Sequence, residues 1–370
     1  MKIALVVPGG VDASAEYRVI PALLALIRRL SARHELHVFA LRQQPRPATW
    51  ELLGARVHNI GTSRTPWRAI QAILSEHRRR AFELVHSIWS GPPGFVAVAA
   101  ARLLGIPSVV HLAGGELAAL PAVGYGGRLT WRGRLGQALV LNGASTVTAA
   151  SAPMIDAAAA MGIPAARLPL GVDLREWPAR EPVRRDPQRT ARLVHVASLN
   201  RIKDQPTLLR ALALLAASGV DFQMDVVGED TLHGAVQRLA LELGLAARVH
   251  FHGFLPHREL RAIIEASHVM MLSSLHEAGP LAMLEAAALG VPTVGTAVGH
   301  IAEWSPAAAL AVPVGNAPAL AAHTRGLLAD EALRLAIARE AQRRACDENA
   351  DRTAQSFEAI YARLVNSRNM

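Results

Sequence analysis

The stretch KIALVVP (residues 2–8) has the length and the uninterrupted apolar character of a strand that is buried on both faces. RLVHVAS (192–198) repeats this pattern about 190 residues later, at the start of a second series of similar runs. Because continuous apolar strands that alternate with amphipathic helices are typical of parallel sheets, the sequence predicts two doubly wound α/β domains. The predicted strands are 2–8, 35–41, 82–88, 107–113 and 145–151 in the first half, and 192–198, 222–228, 248–253, 268–274, 291–297 and 310–315 in the second.

The predicted join between the domains is LPLGVDLREWPAREPVRRDPQ (168–188), which is rich in Pro and Arg and shows no hydrophobic period. We therefore predict a first domain over residues 1–180 and a second over 181–352. The tail over 353–370 has the pattern of an amphipathic helix that is able to cross back onto the first domain. Ligands of open α/β sheets bind beyond the carboxyl ends of the strands, so two facing sheets predict a cleft between the domains.

The composition excludes several classes of protein. Half of the 370 residues are apolar and 19% are charged, and no uncharged apolar run reaches the roughly 18 residues of a membrane span. MKIALVVPGG (1–10) breaks into Pro-Gly-Gly, which favours a buried strand over a secretory signal. Cys346 is the only cysteine, which excludes an internal disulfide and a cysteine-based metal site, so we expect a cytoplasmic protein.

The net charge of +9 is concentrated in the first half of the chain. Residues 1–180 contain 20 Lys and Arg against 10 Asp and Glu, whereas residues 181–370 contain 19 against 20. The densest basic patches are HRRR (77–80) and GGRLTWRGRLG (126–136). The segment around Trp131 is able to lie on anionic lipid headgroups or to face an acidic acceptor, although a solvated Arg-rich surface explains the same pattern. Nucleic acid is not expected as a partner, because aromatic residues are few and no recognised binding module occurs.

Gly9 and Gly10 follow the first predicted strand and precede YRVIPALLALIRRL (17–30), which predicts a strand, a glycine turn and a helix. Backbone amides at the start of a helix favour a phosphate, although a tight loop would require the same glycines. Residues 9–15 lack G-x-G-x-x-G, and G-x-x-x-x-G-K-[ST] is absent from the sequence. These absences argue against a nicotinamide oxidoreductase and a P-loop enzyme.

Two carboxylates lie in SSLHEAGPLAMLEAAALGVPTVG (273–295). Glu277 precedes a helix that Pro280 is predicted to open, since proline suits the first helical position. Glu285 lies inside this helix in an otherwise apolar segment, where an unpaired buried carboxylate is costly. Sugar hydroxyls would supply the hydrogen-bond donors that Glu285 needs. Pairing with an arginine at the surface is the alternative.

Glu277 and Glu285 form E-x7-E within HEAGPLAMLEAAALGVPTVGTAVGHIAEW (276–304), and this segment resembles the signature of the retaining family 4 glycosyltransferases, also called glycosyl transferases group 1. VHVASLNRIKDQPTLLRAL (194–212) is similar to the stretch that opens the second domain of that family. The resemblance extends over most of residues 165–305. In the first half it depends on the Gly9–Gly10 loop and on VVHLAGGE (109–116). It implies the GT-B fold, in which two Rossmann-like domains face each other across a cleft.

The resemblance implies a role for each matching residue. Lys203, one of only two lysines among the 39 cationic residues, matches the lysine that contacts the donor diphosphate. There a compact ammonium neutralises oxygens that gain charge as the glycosidic bond breaks. Glu285 matches the carboxylate that binds the ribose hydroxyls, and Glu277 matches the one that holds hydroxyls of the transferred sugar. His111 matches a first-domain histidine that approaches the sugar near the reacting centre.

Backbone groups complete the implied donor site. The amides of Leu281 and Ala282 would face the phosphates at the start of a helix, and the Gly9–Gly10 loop would approach the donor from the first domain. The segment Gly253–Phe254–Leu255 falls where the backbone of the family reads the nucleobase.

Two positions depart from the family pattern. Ser198 replaces the arginine that usually partners the lysine, and Arg201 is the candidate that supplies the missing charge. Pro280 occupies a helix-opening position that is commonly glycine. His276, beside Glu277, is the one histidine that merits a test. The other histidines on or beside apolar strands are expected to be partnered core or rim residues, and these are His86, His195, His250, His252 and His300.

The sequence therefore predicts a retaining transfer of a sugar from a nucleotide-diphosphate sugar to an acceptor, in cell-envelope, exopolysaccharide or glycolipid biosynthesis. No carboxylate of the first-domain motifs is placed as a general base or a nucleophile, so front-face transfer is expected, as in the family. D-x-D is absent, so neither a metal nor another cofactor is indicated. The acceptor, a sugar or a lipid-linked sugar, is expected on the first domain, with peripheral contact at the inner face of the membrane. A GT-B sugar phosphorylase or hydrolase and a non-catalytic sugar-nucleotide-binding scaffold are the alternatives.

Overall fold

Two units with parallel sheets are described by residues 1–368 of the computed structural model. The first unit comprises Met1–Gly171 together with the C-terminal segment that begins at Ala350, and the second comprises Val172–Asn349. The last two residues of the predicted tail helix (353–370) lie outside the described residues. Among the residues described, every helix is too short or insufficiently apolar to cross a bilayer.

The strands and helices alternate along both units. In chain order the strands are β1 (Lys2–Val7), β2 (Glu35–Ala40), β3 (Ala48–Leu52), β4 (Ala55–Asn59), β5 (Leu84–Ile88), β6 (Ser108–Leu112), β7 (Thr146–Ala149), β8 (Ala166–Arg167), β9 (Ala191–Val196), β10 (Phe222–Val227), β11 (Val249–Gly253), β12 (Val269–Leu272), β13 (Thr293–Thr296) and β14 (Leu310–Val312). The helices are α1 (Pro21–Ser31), α2 (Thr65–Arg79), α3 (Pro92–Leu104), α4 (Trp131–Gly143), α5 (Ala152–Ala159), α6 (Gln205–Ala217), α7 (Ala235–Glu242), α8 (His257–Glu265), α9 (Leu281–Ala288), α10 (Gly299–Trp304), α11 (Ala317–Ala329), α12 (Glu331–Asp347) and α13 (Ala350–Asn366).

The first unit is built on an eight-stranded sheet in the order β3-β4-β2-β1-β5-β6-β7-β8. Successive side chains of a strand point to opposite faces. On β1, Leu5 therefore packs with α1 and α13, whereas Val6 packs with α2 and α3 on the other face. Apolar cores on both faces explain why β1 is buried along its whole length.

The second unit is built on a six-stranded sheet in the order β11-β10-β9-β12-β13-β14, in which all neighbouring strands are parallel. Leu193 of β9 packs with α6 and α11, and the next residue, Val194, packs with α9 and α12. This sheet is also covered on both faces. Because its strands are parallel, their carboxyl ends lie at one edge, and the loops that follow them start there.

The predicted fold class is confirmed, and every predicted strand is present with ends shifted by a few residues. β3, β4 and β8 were not predicted from the sequence. β3 and β4 form an antiparallel hairpin at the sheet edge, turned by Leu53 and Gly54, which both have positive φ. In β4 the buried side chains of Ala55 and Val57 alternate with an exposed Arg56. A search for continuous apolar runs passes over such half-buried strands.

The two lysines have different surroundings, and Lys2 is structural. Its side chain is 3% exposed, and its ammonium donates to the backbone carbonyls of Glu76 (3.3 Å) and Arg80 (3.1 Å) at the end of α2. The same ammonium lies 4.6 Å from the ring centroid of Phe82. A cation at the carboxyl end of a helix satisfies carbonyls that lack an intrahelical partner.

The predicted linker is more ordered than its composition indicates. Trp177 is 2% exposed and, with Val172, belongs to the apolar core of the second unit. The Arg180 amide donates to the Ala288 carbonyl (3.0 Å), which holds this segment against the end of α9.

Candidate functional site

Lys203 lies in a short 3-10 helix (Arg201–Lys203) between β9 and α6. The Asn200 side chain caps this turn by accepting from the Lys203 amide (3.2 Å). The hydroxyl of Ser273 donates to the Lys203 carbonyl (2.8 Å), and the Leu275 amide donates to the Ile202 carbonyl (2.8 Å). These bonds join the turn to the segment that follows β12, which is the neighbour of β9 in the sheet.

The same bonds bring Lys203 to Glu277. The Lys203 ammonium lies 2.5 Å from Glu277 Oε1, and the Ser274 hydroxyl donates to the same oxygen (2.6 Å). The side chains of Lys203 and Glu277 are 23% and 12% exposed, so both reach solvent from a largely buried position. An ammonium and a carboxylate from distant parts of the chain therefore form one polar centre at the carboxyl edge of the second sheet.

Glu285 is the most unusual carboxylate of this unit. It lies inside α9 and is 5% exposed. Among residues 1–368 no group donates a hydrogen bond to its side chain, and burial raises its pKa to about 8. The surface pairing with an arginine that the sequence left open is therefore absent from this part of the chain. A buried carboxylate without donors favours a ligand that brings hydroxyl groups.

The start of α9 differs slightly from the prediction. Pro280 occupies the N-cap position with extended backbone, and Leu281 is the first helical residue. The prediction that Pro280 opens the helix as its first residue is therefore wrong by one position. The Met283 amide donates to the Pro280 carbonyl (3.1 Å). Leu281 and Ala282 precede it in the first turn, where helix amides lack intrahelical acceptors.

The other predicted donor residues of this unit lie at or near the same sheet edge. Gly253 ends β11 with a φ of 69°, and its carbonyl accepts from the Gly228 amide at the end of β10 (2.8 Å). Phe254 is exposed, and Leu255 packs on the apolar core. Arg201 is exposed on the 3-10 turn of Lys203.

The Gly9–Gly10 loop is not followed directly by a helix. The predicted order of strand, glycine turn and helix is present, but residues 11–20 separate the turn from α1, which begins at Pro21 and not at residue 17. The Gln43 side chain accepts from the amides of Gly10 (2.6 Å) and Val11 (3.1 Å). These two amides already have an acceptor, and a role of Gly9 and Gly10 at the donor stays a prediction.

His111 lies inside the first unit. It is fully buried on β6, its Nδ1 is 2.9 Å from the Thr148 hydroxyl, and its ring packs edge-on against Phe357 of α13. Burial lowers the pKa of His111 to about 3. The imidazole is thus a neutral core group in this structure, and its approach to the sugar stays a prediction.

Other histidines have partners within the core or at its rim. Nδ1 of His195 lies 2.8 Å from the Met271 carbonyl, and burial lowers the pKa of this imidazole to about 4. His276 is half-buried beside Glu277. The remaining contacts pair His86 with Tyr361, His250 with Gln223, His252 with Asp225 and His300 with Glu303.

Glu116, which was not predicted as a site residue, organises the carboxyl ends of β5 and β6. Its carboxylate is 6% exposed and accepts from the backbone amides of Ser90 (3.4 Å), Ala113 (3.2 Å) and Gly114 (2.6 Å). Burial raises the pKa of Glu116 in spite of these donors. One signal was available, because Glu116 is the only acidic residue between Glu83 and Asp156.

The loops that Glu116 joins border a cavity of about 420 Å³ in the first unit. Trp89, which has a φ of 73°, projects from the end of β5, and backbone strain of this kind is concentrated at functional sites. Tyr125 belongs to the ordered loop between β6 and α4 and pairs with Leu120 through two backbone hydrogen bonds. The cavity is lined mainly by apolar and aromatic side chains, among them Pro8, Trp89, Pro92, Tyr125 and, with polar ends, Glu116 and Gln137.

Two family models match the chain. The model of the glycosyl transferases group 1 matches residues 180–344, and that of the glycosyl transferase 4-like domain matches residues 19–171. Together they cover most of both units. The chain belongs to the glycosyl transferases group 1 family. The resemblance drawn from E-x7-E is therefore confirmed, and it extends into the first half of the chain.

Curated glycosyltransferases are similar to parts of the chain. D-inositol 3-phosphate glycosyltransferase of Corynebacterium urealyticum is 31% identical over 178 residues, which are 46% of this chain and 42% of that protein. GDP-mannose-dependent alpha-(1-6)-phosphatidylinositol dimannoside mannosyltransferase of Mycobacterium tuberculosis is 33% identical over 133 residues, 34% of each chain. The chain thus matches less than half of the length of these relatives.

Solved glycosyltransferase structures share the fold over nearly the whole chain. Sucrose-phosphate synthase from Thermosynechococcus elongatus has a TM-score of 0.83 at 19% identity, with 99% of this chain and 100% of that chain covered. HepE of Anabaena in complex with UDP-glucose has a TM-score of 0.74 at 19% identity, with 98% and 100% covered. This family member therefore has the GT-B fold.

Proposed function

We propose that this protein is a retaining glycosyltransferase that moves a sugar from a nucleotide-diphosphate sugar to an acceptor. The observation that carries the proposal is the contact between Lys203 and Glu277 at the carboxyl edge of the second sheet. The buried Glu285, which has no protein donor among the residues described, belongs to the same E-x7-E motif. Membership of the family and the UDP-glucose complex of HepE support a nucleotide-sugar donor.

Each charge of the centre has a role in the proposed reaction. In the absence of donor, the positive charge of Lys203 and the negative charge of Glu277 neutralise each other. Diphosphate oxygens would replace Glu277 as the counter-ion of Lys203, and the released carboxylate would accept from hydroxyls of the transferred sugar. Ribose hydroxyls would supply the donors that Glu285 lacks. The nucleobase would lie along Gly253–Phe254–Leu255, at the end of β11.

The bond between the anomeric carbon and the diphosphate oxygen breaks, and the acceptor oxygen bonds to the same carbon on the same face. The acceptor proton passes to the departing phosphate. The ammonium of Lys203 stabilises the negative charge that develops on the leaving group, with the amides of Leu281 and Ala282 and the guanidinium of Arg201 as further donors. Since D-x-D is absent from the sequence, we propose that these groups act without a metal.

The acceptor would bind in the cavity of the first unit. An apolar, aromatic-lined cavity with a few polar groups is the usual form of a small-molecule site. Trp89 and Tyr125 would form its walls, and Glu116 would act as a positioning residue through the amides that it holds. Two relatives are named for a phosphatidylinositol dimannoside and for colanic acid, which supports a sugar or lipid-linked acceptor in envelope polysaccharide or glycolipid synthesis, at the cytoplasmic face of a membrane.

We expect one nucleotide series to raise the melting temperature of the protein in a screen of UDP-, GDP- and ADP-sugars that contains a chelator. The stabilising sugar nucleotide should also be hydrolysed slowly without acceptor and transferred with one. Calorimetry gives its affinity, and chromatography gives its turnover.

Three results would contradict the proposal. If no sugar nucleotide binds, the proposed donor site is wrong. Phosphate-dependent release of sugar from an oligosaccharide would identify a phosphorylase. Tight binding with neither hydrolysis nor transfer across a panel of acceptors would identify a scaffold.

Gly115→Ala should reduce use of the acceptor. A Cβ at residue 115 would lie 2.6 Å from the Tyr125 hydroxyl oxygen, so the ring must move and the cavity must change shape. We expect kcat/KM for the acceptor to fall by roughly tenfold or more, whereas donor hydrolysis stays unchanged. Gly136→Ala is the matched control, because a Cβ there meets nothing within 4 Å. Equal kinetics of the two variants would contradict an acceptor site in this cavity.

A further inference from the structure

Two neighbouring helices of the first unit expose large apolar side chains. Phe95 and Leu103 of α3 and Trp131, Leu135 and Leu139 of α4 are each at least 45% exposed. The three residues of α4 follow one another at intervals of four, which places them on one side of the helix. We name these five residues the α3–α4 surface. Contiguous apolar patches are rare on monomeric proteins and mark interaction sites.

The two helices that carry this surface pack closely against each other. A Cβ on Gly94 of α3 would lie 2.8 Å from the side chain of Val140, and one on Gly143 of α4 would lie 2.8 Å from that of Val98. The backbones therefore approach closely through these glycines. Two residues of the α3–α4 surface flank this contact and are exposed: Phe95, which follows Gly94, and Leu139, which precedes Val140.

The charge around the α3–α4 surface is positive. Between Glu83 and Asp156 the only acidic residue is Glu116, and it is buried. Within residues 1–368 the surrounding arginines form no ion pair, and one of their guanidiniums lies 5.3 Å from the ring centroid of Trp131. These arginines are Arg102, Arg128, Arg132 and Arg134. Tryptophan and arginine beside an apolar helix face are typical of proteins that lie in the interface of a bilayer.

We propose that the α3–α4 surface docks on an anionic lipid bilayer. A bilayer supplies an apolar interior for the five side chains and negative headgroups for the four arginines. A second copy of the chain is a poorer occupant. In a symmetric dimer the same patch meets itself, so the arginines of both copies would face one another without acidic partners.

The orientation of α4 connects this surface to the cavity of the first unit. The outer side of the helix presents Trp131, Leu135 and Leu139, whereas Gln137 is buried and lines the cavity. The Ser90 hydroxyl donates to the Gln137 side chain (2.6 Å). Docking through α4 would hold the cavity next to the headgroups. The inference goes beyond the proposed function, because lipid binding is measured without donor or acceptor.

The test is flotation of the full chain with vesicles of phosphatidylcholine, alone or mixed with phosphatidylglycerol. The wild type should float with the mixed vesicles and not with phosphatidylcholine alone. The double variants Leu135→Asp/Leu139→Asp and Arg132→Glu/Arg134→Glu should each lose at least roughly tenfold in vesicle affinity, since one arginine near an anionic surface contributes about fivefold. The matched control is Leu214→Asp/Leu241→Asp, which alters two exposed leucines of α6 and α7 in the second unit.

Circular dichroism and nucleotide binding show whether each variant is folded, and they keep lipid docking separate from the donor site. Absent flotation of the wild type, or flotation independent of phosphatidylglycerol, would overturn the proposal. So would equal flotation of the α4 variants and the control. A concentration-dependent dimer that Leu135→Asp/Leu139→Asp abolishes, with no flotation, would assign the surface to a second copy instead.

Discussion

Lys203→Met is expected to lower turnover by roughly a hundredfold to a thousandfold while the second unit stays folded. The substitution keeps the apolar stem and removes the ammonium that lies 2.5 Å from Glu277. In the proposed reaction this ammonium meets charge that develops only as the leaving group departs, so its loss should reduce kcat more than donor affinity. Single-turnover kinetics with the donor found in the nucleotide screen measure the effect.

Arg201→Met is the matched control, because it removes a cation from the same 3-10 turn. Arg201 is exposed and contacts no carboxylate among residues 1–368, so the expected loss is smaller than for Lys203→Met. Equal losses would show that general positive charge matters and not the position of Lys203. Near wild-type turnover of Lys203→Met would contradict its catalytic assignment.

Glu285→Gln is expected to change both stability and donor binding. Burial raises the pKa of this carboxyl from 4.5 to about 8, so the folded state keeps a proton that the unfolded state loses in this pH range. The free energy of unfolding of the wild type should therefore fall as pH rises from 4.5 to 8. The variant should be more stable at pH 8 by a few kcal/mol, and denaturant titrations across this range measure the difference.

Glu285→Gln should weaken donor binding, although it should stabilise the fold. Ribose hydroxyls that donate to the Glu285 carboxylate favour its ionised form, so binding at neutral pH should release a proton from the wild type and none from this site in Glu285→Gln. Affinity should fall by roughly tenfold, because charge-assisted hydrogen bonds are replaced by neutral ones. Calorimetry in buffers of different ionisation enthalpy measures both quantities.

Glu242→Gln, at an exposed position of α7, is the control for the loss of one acidic group. The control should bind donor and release protons as the wild type does. Unchanged proton release in Glu285→Gln would place the ribose elsewhere.

Continuous apolar runs predicted the central strands of both sheets, because β1 and β9 are buried on both faces. The β3–β4 hairpin lies at the edge of the sheet with one face exposed, so its apolar residues do not form a continuous run. Spacing also identified Glu277 and Glu285 through their motif. The 2.5 Å contact between Lys203 and Glu277 depends on hydrogen bonds between the segments that follow two neighbouring strands, and no spacing along one chain contains that information.

Gln43 and Glu116 show the same limit in the first unit. Gln43 lies beyond β2 and accepts from the amides of the Gly9–Gly10 loop only because β1 and β2 are neighbours. Glu116 accepts hydrogen bonds from backbone amides of two loops, and the sequence of neither loop shows that the two meet. His111 points into the core because of its register on β6, and α13, which comes from the far end of the chain, covers it.

The place of α13 has a consequence for synthesis of the chain. Phe357 and Tyr361 complete the core that contains Leu5 of β1, yet more than three hundred residues separate them from that strand. The second unit is formed by one continuous stretch and can therefore mature on the ribosome before the first unit is finished. The unit that is translated first therefore completes its apolar core last.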